Sequence, residues 1–259
     1  MLPPKYWHRA AIPSLKRSGM PVNKHNILST KPLAEEQVQR ALRHGCVVSG
    51  KSFIAIRPVI TAGIKARCAD IFRTGGLIVF TSPNAVRIVA DMLRGVQQTG
   101  GIRVFCIQGA TRDAVVSLLP QAEIAGTAAH STALAEGILQ HGAASVVFFC
   151  GNIRRDELPD ILRGQGVNVE EIIVYETLET PVRLTSVYDG ILFYSPSSVM
   201  SFFSANNLPG HTVCFAIGHT TANALRQLTA NKVVISPEPA VDTLLQTVIL
   251  YFDNINSQE

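Results

Sequence analysis

Hydroxyl-bearing turns at the start of helical segments are the residues of this sequence best suited to chemistry. The pattern Ser-Pro-x-x-Val occurs at Ser82–Val86 and again at Ser195–Val199, each time directly after an apolar run. A serine followed by proline is typical of a helix start, because the serine oxygen caps a free amide and proline needs no hydrogen-bond partner there. The remaining amides carry a partial positive charge that favours anions. These turns therefore predict sites for phosphate or carboxylate groups.

A second kind of turn also occurs twice. Gly109-Ala110-Thr111 follows the apolar run at 104–107, and Gly218-His219-Thr220-Thr221 follows the run at 213–217. We expect the threonines to cap the helices that begin there. One such turn alone is most often structural, but a hydroxyl-rich set present in two copies favours a polyanionic ligand. The candidate binding residues in these turns are Ser82, Asn84, Gly109, Thr111, Ser195, Ser197 and Gly218.

Tyr175 is a candidate proton donor. It ends the apolar run at 172–175, where a tyrosine usually packs, but its phenol could act as a general acid at the mouth of a cleft. The histidines are isolated, and the sequence has neither a glycine-rich nucleotide signature nor clustered cysteines and histidines. We therefore predict neither a metal site nor a cofactor.

Nearly constant distances separate the repeated turns. The offset is 113 residues between the Ser-Pro copies, 109 between the glycine turns and 111 between Thr132 and Thr243. Short apolar runs alternate with helical spacing throughout, which is typical of parallel sheets. We therefore predict an α/β fold of two parallel-sheet domains related by an internal repeat. Ligands of such sheets bind beyond the carboxyl ends of the strands, where these turns lie.

Proline-bearing stretches near Pro58 and Pro181 indicate where the chain passes between the domains. We predict linkers at 55–63 and 173–182, one domain formed by 64–172, and a discontinuous domain formed by 26–54 and 183–259. The helices ending near Gly45 and Gly166 are predicted to lead into the strands at 53–56 and 171–174. The other predicted strands lie near 26–29, 77–80, 103–107, 122–124, 146–150, 191–194, 212–217 and 233–235.

Composition and charge narrow the class of protein. Hydrophobic residues make up 47% of the chain and charged residues 16%. The net charge is +4, but the stretch 1–25 carries +5 and leaves the rest at −1, so we predict no nucleic-acid binding. No apolar run approaches the ~20 residues that span a bilayer, so we predict no membrane partner. Five cysteines without a Cys-x-x-Cys pair predict reduced thiols and a cytoplasmic protein, and 1–25 is predicted to be a disordered basic tail.

Taken together, these motifs resemble the uroporphyrinogen-III synthase family from about residue 26 to the end. The chain departs from that family in two places. It has Thr30-Lys31-Pro32 where the family often has Thr-Arg-Pro, and His219 where the family often has proline. The matching stretches are Ile27–Pro32, Phe80–Val86, Val174–Thr177, Phe193–Ser197 and Ala216–Leu225.

The resemblance implies two flavodoxin-like domains joined by two extended linkers. It also implies that a monomer closes hydroxymethylbilane, a linear tetrapyrrole polycarboxylate, into a ring without a cofactor, inverting the last pyrrole through a spiro intermediate. The family's candidate general acid matches Tyr175, and Thr220 and Thr221 match a hydroxyl-bearing turn that lines the other side of the cleft. Thr30, Lys31 and Gly151 join the turn residues above as implied substrate contacts.

Two other classes of protein fit parts of the same pattern. A non-catalytic, two-domain binding protein or sensor for a small polyanionic ligand would also have paired α/β domains and would also lack catalytic motifs. A two-domain nucleotide-sugar transferase is less consistent with the length of the chain and with its lack of clustered acidic or basic residues.

Overall fold

The computed structural model describes residues 25–97 and 99–256. Within them the chain forms eleven strands, β1 His25–Ser29, β2 Cys46–Gly50, β3 Ile54–Pro58, β4 Gly76–Phe80, β5 Ile102–Ile107, β6 Glu123–Ala128, β7 Ser145–Gly151, β8 Asn168–Glu179, β9 Gly190–Phe193, β10 Val213–Ala216 and β11 Val233–Ile235. It also forms nine helices, α1 Glu35–Arg43, α2 Ala62–Thr74, α3 Pro83–Met92, α4 Ala110–Leu118, α5 Ser131–Gln140, α6 Glu157–Gly164, α7 Pro196–Phe203, α8 His219–Leu228 and α9 Val241–Asn256. The tail predicted at 1–25 lies outside the described residues except for His25, which begins β1.

The strands belong to two sheets. One sheet has five parallel strands in the order β11-β10-β9-β1-β2. The other has six strands in the order β3-β8-β7-β4-β5-β6, of which only β3 is antiparallel to its neighbour. The prediction of an α/β fold with parallel sheets is confirmed.

Helices cover both faces of each sheet. In β4, Ile78 and Phe80 pack into the layer of α2, α3 and α4, whereas Leu77 and Val79 pack into the layer of α5 and α6. The five-stranded sheet has α1 and α9 on one face and α7 and α8 on the other. Because strands buried on both faces are apolar at successive positions, they are readily visible in the sequence.

Strand β2 was missed by the sequence analysis. The strand that follows α1 is β2 at Cys46–Gly50, not the predicted strand at 53–56, so the predicted correspondence between 53–56 and 171–174 is wrong. β2 lies at the edge of its sheet, and Cys46 is its one buried side chain. An edge strand that buries so little carries no clear apolar pattern.

About half of each predicted linker takes part in an antiparallel pairing of β3 with β8. Pairing runs from Ile54 opposite Glu179 to Pro58 opposite Tyr175. The first part of β8 instead pairs in parallel with β7, up to Tyr175 opposite Gly151. The chain crosses from the five-stranded to the six-stranded sheet between β2 and β3, and it returns between β8 and β9.

Two further findings concern the cysteines and the length of the helices. All five cysteines are buried free thiols, as predicted. No helix within 25–97 and 99–256 has both the length and the apolar character needed to cross a bilayer.

Asn206 fixes the returning connection onto α7. Its side chain is buried, and its amide nitrogen donates to the carbonyls of Val182 (2.8 Å) and Phe202 (2.9 Å). Its amide oxygen accepts from the backbone nitrogen of Leu184 at 2.8 Å. One polar side chain therefore satisfies three backbone groups of two segments.

We predict that Asn206→Ala lowers the free energy of unfolding by about 2–3 kcal/mol, because it leaves buried backbone groups without partners. The matched control is Asn207→Ala, since Asn207 is exposed, and it should change the stability by less than about 0.5 kcal/mol. Urea unfolding followed by circular dichroism measures both. Equal midpoints for the two variants would contradict the assignment.

Candidate active site

A cavity of about 650 Å³ lies between the two sheets, beyond the carboxyl ends of their central strands. From the side of the six-stranded sheet it is lined by Ile54, Ile56, Ser82, Asn84, Ile153, Arg154, Arg155, Tyr175 and Thr177. From the side of the five-stranded sheet it is lined by Tyr194, Ser195, Pro196, Ser197, Ile217, Gly218, Thr220, Thr221 and Pro239. No aspartate or glutamate is among these lining residues, so the wall combines cations and hydroxyls with apolar patches.

Most of the predicted site residues come together at this cavity. Those that line it are Tyr175, Thr220, Thr221, Ser82, Asn84, Ser195, Ser197 and Gly218. Those that do not are Thr30, Lys31, Gly109, Thr111 and Gly151. The two Ser-Pro turns both line it although they lie 113 positions apart in the sequence.

The two Ser-Pro turns cap helices as predicted. The Ser82 hydroxyl accepts from the backbone nitrogen of Asn84 at 3.2 Å, with Pro83 in the first turn of α3. The Ser195 hydroxyl accepts from the backbone nitrogen of Ser198 at 3.2 Å, and Ser198 in turn accepts from the backbone of Ser195 at 3.3 Å. Helix starts therefore point at the cavity from both sheets, with their positive ends toward it.

The prediction that Thr111, Thr220 and Thr221 are caps is wrong. Glycines occupy the cap positions, Gly109 before α4 and Gly218 before α8, and neither helix has a side-chain cap bond. The threonines lie inside the first helical turn, and Thr111 and Thr221 are buried there. Because no side chain accepts from the first amides of α8, those beside Gly218 are available to an anion in the cavity.

Three of the predicted residues that do not line the cavity have other structural settings. Thr30 is buried, and its hydroxyl donates to the carbonyl of Leu192 at 2.8 Å, which joins two strands. Gly109 is exposed, and its φ of 73° makes the left-handed turn before α4. The Lys31 ammonium lies 4.3 Å from the centre of the Tyr194 ring, and so it lies beside a lining residue.

Gly151 makes room for Tyr175. A Cβ at Gly151 would lie 2.5 Å from the Cε2 and Cζ atoms of the Tyr175 ring. The register of β7 against β8 shifts by one residue at this point, between Cys150 and Gly151. The irregularity and the missing side chain together place the ring over the backbone of Gly151.

The Tyr175 phenol is held neutral at the cavity. The residue is only 7% exposed. Burial raises the pKa of Tyr175, and a hydrogen bond with the Ser82 hydroxyl partly opposes that rise. Because its pKa is raised, the phenol is present in the protonated form from which a general acid donates, although the same rise makes it a weaker acid.

Two arginines that the sequence analysis did not select, Arg154 and Arg155, line the cavity. Arg155 donates from Nη2 to the Thr220 hydroxyl and so joins the loop after β7 to the start of α8. Arg154 pairs with Glu171, whose carboxyl pKa is lowered mainly by that bond, and with Asp156 at 3.0 Å. Their position just after the β7 run, in the loop before α6, was a usable signal.

Asn152 fixes the loop that carries these arginines. Its side-chain oxygen accepts from the backbone nitrogens of Ile153 at 2.9 Å and Thr177 at 2.8 Å. Its own backbone nitrogen donates to the carbonyl of Tyr175 at 3.0 Å. The loop is thereby tied to the strand that carries the tyrosine.

No group of three or more histidine, cysteine, aspartate or glutamate side chains able to hold a metal ion occurs among residues 25–97 and 99–256. The chemistry available at the cavity is that of hydroxyls, backbone amides and guanidinium groups. Such a set binds carboxylates or phosphates and can transfer a proton from Tyr175.

The fold and the cavity define an α/β protein with a cavity lined by hydroxyls and two arginines between its two sheets. Residues 35–246 match the family model described as "Uroporphyrinogen-III synthase HemD". The chain belongs to the uroporphyrinogen-III synthase family.

Individual relatives agree with this family. Uroporphyrinogen-III synthase of Saccharomyces cerevisiae is 28% identical over 126 residues, which are 42% of this chain and 46% of that protein. The alignment thus spans about half the length of this curated relative.

Two solved structures are similar in fold. Uroporphyrinogen-III synthetase from Helicobacter pylori 26695 has a TM-score of 0.61 at 15% identity, covering 88% of this chain and 99% of that one. A mutant uroporphyrinogen III synthase from the extremely thermophilic bacterium Thermus thermophilus has a TM-score of 0.61 at 15% identity, covering 91% and 100%.

We predict that Gly151→Ala lowers the free energy of unfolding by about 1–3 kcal/mol, because the new methyl group must displace the Tyr175 ring. The control is Gly164→Ala, where a Cβ meets nothing within 4 Å. It should leave the stability unchanged or raise it by up to about 1 kcal/mol, since alanine favours a helix over glycine. Thermal unfolding compares the two, and a Gly151→Ala protein as stable as the parent would contradict the close approach.

Proposed function

We propose that the protein is a uroporphyrinogen-III synthase, a lyase of tetrapyrrole (haem) biosynthesis that cyclises hydroxymethylbilane with inversion of the last pyrrole. The observation that carries this proposal is the cavity itself. It brings the neutral Tyr175 phenol together with Arg155, Thr220 and capped helix starts, in a chain of this family. A linear polycarboxylate with a departing hydroxyl needs a proton donor for the hydroxyl and hydrogen-bond donors for its carboxylates.

We further propose that the two sheets are the cores of two flavodoxin-like domains related by an internal repeat, with 54–58 and the end of β8 as the linkers. Sheet order supports this. In each sheet we count the strand before the Ser-Pro turn as strand 1, and we leave out the antiparallel β3. The parallel strands of both sheets then have the order 3-2-1-4-5, so that β4 is equivalent to β9 and β7 is equivalent to β1. One domain is then discontinuous, because β1 and β2 come before the other domain in the chain and β9 to β11 come after it.

The proposed mechanism separates binding from proton transfer. Carboxylates of the substrate bind to the helix starts and to Arg155, and the pyrroles lie against Ile54, Ile56 and Ile153. Tyr175 donates a proton to the hydroxyl, which leaves as water. The carbon left behind is attacked by the last pyrrole to form the spiro intermediate, and rearrangement with loss of a carbon-bound proton gives the inverted ring.

Holding the substrate in the right orientation is the larger part of the proposed catalysis. The substrate closes without an enzyme, so the protein must favour the inverted product by holding the two chain ends in a near-attack arrangement. Thr220 and Thr221 contribute from the side opposite Tyr175, the first as the partner of Arg155. The five buried free thiols support a cytoplasmic location. We propose a monomer that needs no cofactor and binds neither nucleic acid nor membrane.

The direct test supplies enzymatically made hydroxymethylbilane, without added metal or nucleotide, and separates the oxidised isomers. We expect the type III isomer to form in preference to type I. Well-folded protein that yields type I at the uncatalysed rate would overturn the proposal. Tight binding of the tetrapyrrole without any such catalysis would identify a binding protein instead.

A second prediction concerns the proton donor. Tyr175→Phe should lower kcat by about 10²-fold, near the lower end for general acids because the substrate is already labile, and should leave Tm unchanged. Tyr188→Phe, outside the cavity, is the control and should keep full activity.

Thr220→Val and Thr221→Val remove one hydroxyl each at nearly constant volume and should lower activity several-fold. If Tyr175→Phe and both threonine variants turn over normally, the active site lies elsewhere.

A further inference from the structure

Two basic side chains flank the cavity without lining it. Lys31, in the loop after β1, lies against Tyr194, which lines the cavity from the five-stranded sheet. Arg87, in α3, donates from Nη1 to the side-chain oxygen of Asn84 at 3.4 Å, and Asn84 lines the cavity from the six-stranded sheet. The two cations thus come from opposite sides.

Lys31 is held in place by a buried cluster. The Ser29 hydroxyl donates to the Lys31 carbonyl at 2.5 Å and lies 3.0 Å from the Tyr194 hydroxyl. Ser29 is fully buried, and burial raises the pKa of Tyr194 to about 12, so that the phenol stays neutral. The ring therefore orients the ammonium group but supplies no negative charge to balance it.

The charges of Lys31 and Arg87 act on each other. Burial lowers the pKa of Lys31, and the positive charge of Arg87 lowers it further. Within 25–97 and 99–256, neither side chain has a carboxylate within salt-bridge distance. Each cation thus lies beside a lining residue of the cavity, on opposite sides of it, and no carboxylate of the described residues balances either charge.

We propose that Lys31 and Arg87 form a two-sided clamp for one carboxylate of the substrate. The clamp rests on the proposed function for the identity of that substrate. A carboxylate between Lys31 and Arg87 would attract both cations, which otherwise repel each other. It would thereby connect the loop after β1 to α3. The substrate itself then stabilises the arrangement in which the two sheets enclose it, because only the bound state has the bridging anion.

The test uses Lys31→Gln, Arg87→Gln and the double variant. Uroporphyrin III, the stable oxidised form of the proposed product, is the binding probe, and KM for hydroxymethylbilane is measured separately. Each single change should weaken uroporphyrin binding about tenfold and raise KM similarly, the usual size for a lost charge-assisted contact. The double variant should lose little more than either single variant, because a carboxylate held from one side no longer connects the sheets.

Two comparisons separate a clamp from a structural role. Arg94→Gln, just beyond the end of α3 where Arg94 pairs with Asp91 at 2.7 Å, should bind and turn over as the parent does. Arg87→Gln should keep or raise the Tm of the free protein, because it removes repulsion. A lower Tm for Arg87→Gln, or single effects that multiply in the double variant, would overturn the clamp.

The outcomes also distinguish the clamp from the proposed function. A parent protein that forms no type III isomer, yet binds uroporphyrin in a manner that depends on both cations, would refute the function and support the clamp. A parent protein that forms type III isomer, with both single variants unchanged in binding and KM, would refute the clamp alone.

Discussion

The antiparallel pairing of β3 with β8 is the contact on which the arrangement of the site depends. β3 is the first segment after the chain leaves the five-stranded sheet, and β8 is the last before it returns. Five opposed residue pairs, the Arg57–Glu176 ion pair and a bond from the Thr180 nitrogen to the Phe53 carbonyl at 2.9 Å hold the two together. Both crossings are thereby tied into one ribbon, and the carboxyl edges of the two sheets face a single cavity.

The charge distribution around the cavity complements a polyanion. Capped helix starts, the uncapped start of α8 and Arg155 all present hydrogen-bond donors, and no carboxylate lines the wall. The glutamates nearby are already engaged, as Glu171 is with Arg154 and Arg163. Burial raises the pKa of both lining phenols, Tyr175 and Tyr194, so neither presents a negative charge to the cavity. These hydrogen-bond donors are in place before a ligand binds. The site can therefore stabilise negative charge without first reorganising its own dipoles.

Sequence reasoning found the features that depend on local chemistry or on continuous burial. The Ser-Pro caps, the central strands and the position of Tyr175 belong to this group, because each has a signature within a few residues. It missed β2, whose single buried side chain leaves no pattern, and it misplaced the threonine caps because a glycine can begin a helix without a side-chain bond. Arg155 had only its position after the β7 run as a signal, because its contact with Thr220 depends on which turns the two sheets bring together.

The register shift at Gly151 determines whether β8 presents a neutral or a charged side chain to the cavity. Side chains alternate along a strand, so Tyr175 and Thr177 share the face that lines the cavity while Glu176 points the other way, toward Arg57. Without the extra residue of the shift, the alternation beyond it would be inverted. Glu176 would then take the place of the phenol at the cavity wall. The count of residues in this strand, odd or even, thus decides whether β8 presents a neutral hydroxyl or a carboxylate to the cavity.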